Sequence, residues 1–538
     1  MCGIVGFIDR SDTTQKEQIV KNMMDTIVHR GPNSAGQFID EGAALGFRRL
    51  SIIDLEGGTQ PIKNEDGTKI ITFNGEIYNY QSIREDLIAK GHVFTTHADT
   101  EVLLHGYEEY GIDLLQKIRG MFAFVIWDTK KQELFGARDH FGIKPLYYTI
   151  MNGTFMYGSE IKSFLQHPNF VKELNKEALK PYMTFQYSAL DETFFKNVYR
   201  IKEGHYFIYK DGKLDIQQYW DVKEQETNMT LEETVDLIDD TVVKSVEAHR
   251  IADVEVGSFL SSGVDSSYVT AVLRPEHSYS IGFGDKSYNE KLADLIDLNN
   301  TSRVVTGDEA FEYFPLIQYH LDEPDSNPSC VPLYFLTELA SRDVRVALSG
   351  EGADELFAGY QAYGMNTKSK AVKVVAEGLK KLPKGMRYSI AKGLKGKTFK
   401  GALHLYTSLA PAEEFFIGQA KVFEEDEAVD YLQPEYQQSP TIKDIVDVHY
   451  EKVQDMSEIK KMQYLDMHQW MPKDILLKAD KLAMANSLEV RVPLLDKEMM
   501  KVSEIVPTRY LINAENTKFA FRQAAARHLP EEWYNREK

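Results

Sequence analysis

The chain has 538 residues, more than one hydrophobic core can organise, because single cores stop growing near ~250–300 residues; two large domains, or three, are expected. Hydrophobic residues at 43%, aromatics at 11% and charged residues at 27% exclude intrinsic disorder as the main state. With 82 acidic against 62 basic side chains the formal charge is −20, a field that repels phosphate backbones and anionic headgroups, so no nucleic-acid partner is expected.

From Met1 to about Asp211 the chain is rich in short β-type runs such as Ala44–Phe47, Ile70–Phe73, Phe122–Trp127, Phe155–Tyr157 and His205–Tyr209, separated by Gly, Asn and Asp clusters. Gln18–Val28, Ser82–Ala89 and Thr100–Tyr110 carry apolar residues at helical spacing between them, which predicts an α+β layered domain. Asp211-Gly212 reads as the turn of the last hairpin, and the boundary is placed there, giving domains 1–212 and 213–538. From Leu231–Ala248 onward the pattern becomes helix, strand Glu255–Leu260, a glycine-bearing loop and helix Ser266–Leu273, with further β-type segments at His277–Phe283 and Val344–Leu348. That alternation predicts an α/β domain with a parallel sheet. Beyond Gly359 the periodicity is almost wholly helical.

No apolar run approaches the ~18–20 residues of a membrane span, and the start MCGIVGFIDR lacks the regions of a signal peptide. A cytoplasmic protein with no membrane insertion is expected. Cys2 and Cys330 are the only cysteines, too few for a disulfide framework or a thiolate zinc site. Removal of the initiator methionine would leave Cys2 with both a thiol and the free α-amine, and that amine can take the thiol proton near neutrality. A lone cysteine near a chain end is more often a small buried hydrophobe, but other segments tip the balance. The Asn74 amide and the Gly75 N–H suit an oxyanion hole, the Arg49 fork suits a substrate carboxylate, and Asp99 suits a substrate ammonium. Taken singly, each is better explained by a hairpin turn or an exposed ion pair.

These segments, Met1-Cys2-Gly3-Ile4-Val5-Gly6, His29-Arg30-Gly31-Pro32, Arg49-Leu50-Ser51, Asn74-Gly75-Glu76-Ile77-Tyr78-Asn79 and Gly120-Met121-Phe122-Ala123, resemble the class II glutamine amidotransferase domain. The resemblance implies the layered sandwich of the N-terminal-nucleophile hydrolases, with Cys2 as nucleophile and Asn74 and Gly75 as oxyanion donors. It further implies Arg49, Leu50, Ser51, Ile52, Ile53, Glu76 and Asp99, with Asn74 and Gly75, as glutamine binders. Asn33 stands where the family has aspartate after His-Arg-Gly-Pro, which leaves open how that loop is pinned.

In the second half, Ser261-Ser262-Gly263-Val264-Asp265-Ser266-Ser267 follows a strand and opens a helix, aiming N–H groups and hydroxyls at one point with the positive end of the helix dipole behind them. This is an anion cradle without the Walker lysine, and Asp265 within it calls for a bridging magnesium ion. Ser349-Gly350-Glu351-Gly352-Ala353-Asp354-Glu355 begins like a dinucleotide fingerprint, but Glu355 occupies the sixth position, so that reading is rejected. Gly396-Lys397-Thr398 mimics the end of a P-loop, with Ala391 where the first glycine belongs, and is a coincidence.

With Lys478-Ala479-Asp480-Lys481 and Ser487–Asp496, these loops resemble the ATP-pyrophosphatase domain of glutamine-hydrolysing asparagine synthetases, and the resemblance spans nearly the whole chain. It implies that a carboxylate attacks the α-phosphate of ATP and that ammonia from the first domain, carried through a tunnel, displaces AMP. By position, Phe259, Ser261, Gly263, Asp265, Ser266, Ile281, Ser349 and Gly350 bind ATP, Asp265 and Asp354 hold Mg2+ and pyrophosphate, and Glu351 supports the adenylate. Ser262 stands where glycine is usual. Lys538 aligns with a lysine that stabilises charge in the adenylation step; family members continue beyond it, so a shortened chain is expected. The substrates implied are glutamine, ATP and aspartate, with a diaminopimelate-type carboxylate of a cell-wall precursor as the alternative acceptor. The basic segment Lys368–Lys400 reads as a solvated helix face or as a docking surface for such an acceptor. A catalytically silent sensor is the remaining alternative, and a homodimer is the expected oligomer.

Overall fold

In a computed structural model the described residues are 2–9, 13–225, 227–282, 291–294, 298–364, 370–399, 401–513 and 515–536. Lys538 and Phe283, the ends of the basic segment at Lys368 and Lys400, and Met1 lie outside them.

Alternating apolar residues in the first half build two six-stranded sheets. One runs edge to edge through Val198–Arg200, Tyr147–Met151, Thr154–Gly158, Cys2–Ile8, Ala43–Arg49 and Ser34–Ile39. The other runs through Lys213–Gln218, His205–Lys210, Glu133–Arg138, Gly120–Asp128, Lys69–Ile77 and Ile62–Lys63. Ile4, Leu45, Phe47, Ala123, Val125 and Phe207 fill the space between them. Helix Thr13–Asp25 covers the outer face of the first sheet through Val20, Met23 and Met24, and helices Tyr80–Ala89 and Asp99–Tyr110 cover the second through Ile83, Leu87 and Leu103. The result is the predicted layered α+β unit.

Asp211 and Gly212 have φ of 51° and 75°, the pair of left-handed residues that a two-residue hairpin needs. The return strand Lys213–Gln218 pairs antiparallel with His205–Lys210. A boundary at 212 therefore cuts a hairpin in two; the chain leaves this sheet only after Gln218.

The second half holds a five-stranded, all-parallel sheet in the order Asn299–Val304, His277–Gly282, Val256–Phe259, Val346–Leu348, Glu489–Arg491. Alternation along Val346–Leu348 separates two apolar layers, Val346 and Leu348 joining one and Ala347 the other. Helix Leu231–Ala248 begins at a capping box between Thr230 and Glu233. Beyond Gly359 the described residues are almost wholly helical, as expected, with strand Glu489–Arg491 as the exception. Its three residues are too few to display a period, and its two charged side chains are buried because they pair. Chain order places Val256–Phe259 and its successors on one side and Val346–Leu348 on the other, so the strand order reverses between these two neighbours. Ligands of open α/β sheets bind outside the carboxyl ends of strands at such a point.

Helices Lys370–Lys380 and Lys384–Leu394 occupy most of the basic segment, with Lys381, Lys384 and Lys392 on the surface and Lys395 paired to Glu414 at 3.0 Å, as a solvated face would have it. Among the described residues no helix is long and apolar enough to cross a membrane.

Candidate active sites

Antiparallel pairing sets Cys2 directly opposite Arg49. Both line a pocket with Leu50, Ile52, Ile53, Gly75, Glu76 and Asp99. The Cys2 N–H donates to Asn74 Oδ1 at 3.0 Å, which ties the two sheets together at this point. Asn74 is fully buried, and its Nδ2 has no hydrogen-bond partner among the described residues. A buried amide N–H left unmatched carries a desolvation cost of ≈ 1–3 kcal/mol, which an oxyanion beside the sulfur would relieve. A Cβ on Gly75 would lie 2.1 Å from the Met121 carbonyl oxygen, so this neighbouring strand admits only glycine there.

Burial pushes the Cys2 thiol up to about 11, so it rests protonated. The Arg49 guanidinium donates to the carbonyls of Leu55 at 3.2 Å and Ile53 at 3.3 Å, and to that of Asp54, which holds the fork against the pocket wall. Ser51 is not among the lining residues; its N–H donates to Asn33 Oδ1 at 2.9 Å and its carbonyl accepts from Arg345 at 3.2 Å. The first of these bonds answers how the loop is pinned without an aspartate, because an amide oxygen accepts as a carboxylate oxygen does. Asp99 opens its helix and accepts from the Ile77 N–H at 2.9 Å, while burial lifts its carboxyl to about 6. Burial, and after it the neighbouring Glu489 and Asp99 carboxylates, push Glu76 well above the usual range.

Sequence reasoning gave Arg30 no role. Its Nε donates to the Cys2 carbonyl at 3.2 Å, and its Nη1 reaches Asp480 at 2.8 Å and Glu160 at 3.2 Å, with the side chain fully buried. The His-Arg-Gly-Pro and Lys-Ala-Asp-Lys motifs thus meet across the interface, and the spacing within each could not reveal it.

At the switch point of the parallel sheet, loops 261–266 and 349–354 are in contact. A Cβ on Gly350 would lie 2.5 Å from the Ser266 backbone nitrogen. Ser266 Oγ accepts from the Ser261 N–H at 3.0 Å and lies 2.8 Å from Ser261 Oγ, and Gly263 caps helix Val264–Leu273. Ser262 is not at positive φ, so this position makes no demand for glycine. Phe259 and Ile281 pack together at the ends of adjacent strands. Ser349 donates from its N–H to the Arg491 carbonyl at 2.8 Å and from its hydroxyl to Glu351.

Asp265 and Asp354 converge as expected, and between them lies the Lys518 ammonium, 2.6 and 2.7 Å from the Asp265 oxygens and 2.7 Å from Asp354 Oδ1. Burial opposes this charge, but the two carboxylates outweigh it and hold the lysine above its ordinary value. Lys518 was not anticipated, because it stands far along the chain in a helix-rich stretch. Two carboxylates sharing one positive charge are also the donor set of a hard divalent cation, so the residues present fit Mg2+. Arg536, near the end of the described chain, donates to the Ser262 carbonyl at 3.2 Å.

The layered unit with its Cys2 pocket and the parallel-sheet unit with its carboxylate-lined crevice together define the two-site architecture of an amidotransferase fused to a second catalytic domain. The glutamine amidotransferase domain family matches residues 1–220 and the asparagine synthase family residues 237–538. The chain is 41% identical to asparagine synthetase (glutamine-hydrolyzing) 1 of Bacillus subtilis strain 168, over 100% of this chain and 86% of the relative. It is 33% identical to a putative asparagine synthetase (glutamine-hydrolyzing) of Mycobacterium tuberculosis H37Rv, over 98% and 85%. Identity to asparagine synthetase (glutamine-hydrolyzing) 3 of B. subtilis is 28%, over 100% and 86%. The chain belongs to the glutamine-hydrolysing asparagine synthetase family.

Proposed function

We propose that the protein makes asparagine from aspartate, with glutamine as nitrogen donor and ATP converted to AMP and pyrophosphate. The observation that carries the first half is the Cys2–Asn74 geometry, with one amide oxygen on the nucleophile's own nitrogen and one unmatched amide N–H beside it. After removal of Met1, the Cys2 α-amine takes the thiol proton as sulfur attacks the glutamine amide carbon. The tetrahedral oxyanion is held by Asn74 Nδ2 and the Gly75 N–H. Its collapse releases ammonia, and water then frees glutamate. Arg49 and Asp99 hold the carboxylate and ammonium of glutamine, and Leu50, Ile52, Ile53 and Glu76 shape the pocket around it.

In the second unit an aspartate oxygen attacks the α-phosphorus of ATP and pyrophosphate leaves. Ammonia then attacks the acyl carbon and AMP leaves. Ser261, Gly263, Ser266, Ser349 and Gly350 form the phosphate cradle, Phe259 and Ile281 the wall beside it, and Glu351 assists adenylate formation. Asp265 and Asp354 would hold Mg2+, which neutralises phosphate charge. Lys518 supplies a fixed positive charge on the same carboxylates, and Lys538 adds charge stabilisation in adenylation. We assign residues up to about 218 to the glutaminase and the rest to the synthetase. An apolar cluster containing Leu50, Ile52, Met121 and Phe141 from the first unit and Val346, Leu348 and Leu476 from the second supports passage of ammonia along a dry interface. We place the enzyme in the cytoplasm, as a homodimer.

Incubation of the methionine-processed protein with glutamine, ATP, Mg2+ and aspartate is expected to yield asparagine, AMP and pyrophosphate in equal amounts. Cys2→Ala should lose glutamine-driven synthesis and keep synthesis from added ammonia; loss of both would refute the two-site scheme. Glutamine hydrolysis with no aspartate-dependent pyrophosphate would move the acceptor to another carboxylate.

A further inference from the structure

Beside the second antiparallel sheet, three segments bring four metal-ligating side chains to one place. Glu65 comes from the turn after strand Ile62–Lys63, His92 from the loop after helix Tyr80–Ala89, and His105 and Glu108 from helix Asp99–Tyr110 at i, i+3. One ligand atom from each of the four falls within 4.8 Å of the others. His105 Nδ1 lies 3.1 Å from Glu108 Oε2 and 3.3 Å from Glu65 Oε2, and His92 Nδ1 lies 3.3 Å from Glu65 Oε1. Neighbouring donors of a tetrahedral ion with bonds of ~2.0–2.1 Å are about 3.3 Å apart, close to these three spacings, with Glu65 facing the two histidines through different oxygens.

The surroundings are those of ligands rather than of chance neighbours. Each imidazole meets a further carboxylate at its other nitrogen, His105 Nε2 at 3.4 Å from Glu101 and His92 Nε2 at 3.7 Å from Glu109. At His105 such a hydrogen bond fixes the tautomer that leaves Nδ1 able to ligate, whereas Glu109 stands beyond hydrogen-bond reach of His92. Glu101 is held in turn by the N–H groups of Thr95 at 2.8 Å and Thr96 at 2.7 Å, and Glu108 accepts from Asn64 Nδ2 at 2.6 Å. His105 is fully buried. Two carboxylates and two neutral imidazoles carry a formal charge that one divalent cation balances.

We propose that Glu65, His92, His105 and Glu108 form a structural site for one divalent transition-metal ion of the zinc class, separate from both reaction centres. Four protein ligands close the coordination sphere, so the ion staples rather than catalyses. It pins the loop that leads from His92 to Ala98 and Asp99, which line the glutamine pocket.

The test uses the metal-stripped, full-length protein with Zn2+ in competition with a chromophoric chelator, and with Co2+ read by its visible absorption. One ion per chain, a four-coordinate Co2+ spectrum and a thermal midpoint raised by Zn2+ are expected. The partly exposed variants His92→Gln and Glu65→Gln should bind about 100-fold more weakly or worse and lose the thermal shift, while ammonia-dependent synthesis verifies that they fold. Absence of stoichiometric binding, or equal Co2+ spectra in wild type and His92→Gln, would overturn the assignment.

Discussion

At Asn74 one side chain serves two ends. Its oxygen accepts from the Cys2 nitrogen, and its buried Nδ2 has no partner among the described residues, as the proposed oxyanion donor requires. Removing that donor costs an acyl-transfer enzyme about 10²–10³ in kcat. Asn74→Ala is therefore expected to lower glutaminase kcat by that factor and to leave ammonia-dependent synthesis near wild type; equal loss in both assays would mean a folding defect. Asp99 supplies a pH signature. Burial raises its carboxyl to about 6, so it is ionised above that pH and neutral below it. A neutral acid cannot hold the substrate ammonium, hence kcat/KM for glutamine should fall as pH drops through about 6, approaching tenfold per pH unit. In Asp99→Asn the value should be low and this inflection absent; an unchanged inflection would assign the titration elsewhere.

At the scale of elements, the nucleotide crevice depends on two loops touching at Gly350. A Cβ there meets the Ser266 nitrogen at 2.5 Å and the Asp265 carbonyl carbon at 2.8 Å, backbone atoms that cannot step aside without moving the cradle. Misplacing reacting groups by ~1 Å can cost ~10²-fold. Gly350→Ala should therefore cut aspartate-dependent pyrophosphate release by about that factor while glutaminase activity persists. Long periodic elements such as Leu231–Ala248 were legible to the residue, because an amphipathic helix announces both its period and its cap. Strand Glu489–Arg491 was not, because short charged strands are read as loops until their partners are known.

At the scale of the molecule, Arg491 joins the two units. Its side chain pairs with Glu489 at 2.5 Å, approaches Glu76 of the Cys2 pocket at 3.7 Å, and donates to the carbonyls of His249 and Ile251, each at 2.7 Å. Its own carbonyl accepts from Ser349 of the nucleotide loop. Arg491→Met would leave two buried carboxylates without this guanidinium, a loss of about 3–5 kcal/mol. A clear drop in thermal midpoint and a weakened glutaminase are expected; a variant as stable as wild type would show that the cluster is neutralised by other means.

What the sequence determined by itself is local: the alternating and helical periods, the turn at Asp211-Gly212, the cysteine at the second position, and the two polar loops that open the second unit. These are written in adjacent residues, and so is the resemblance that names their family. Only the folded chain brought Arg30 to the Cys2 carbonyl, Lys518 between Asp265 and Asp354, and Arg491 beside Glu76. Each of those is a buried charge that reaches a group tens to hundreds of positions away along the chain, and no spacing rule encodes such a distance in space.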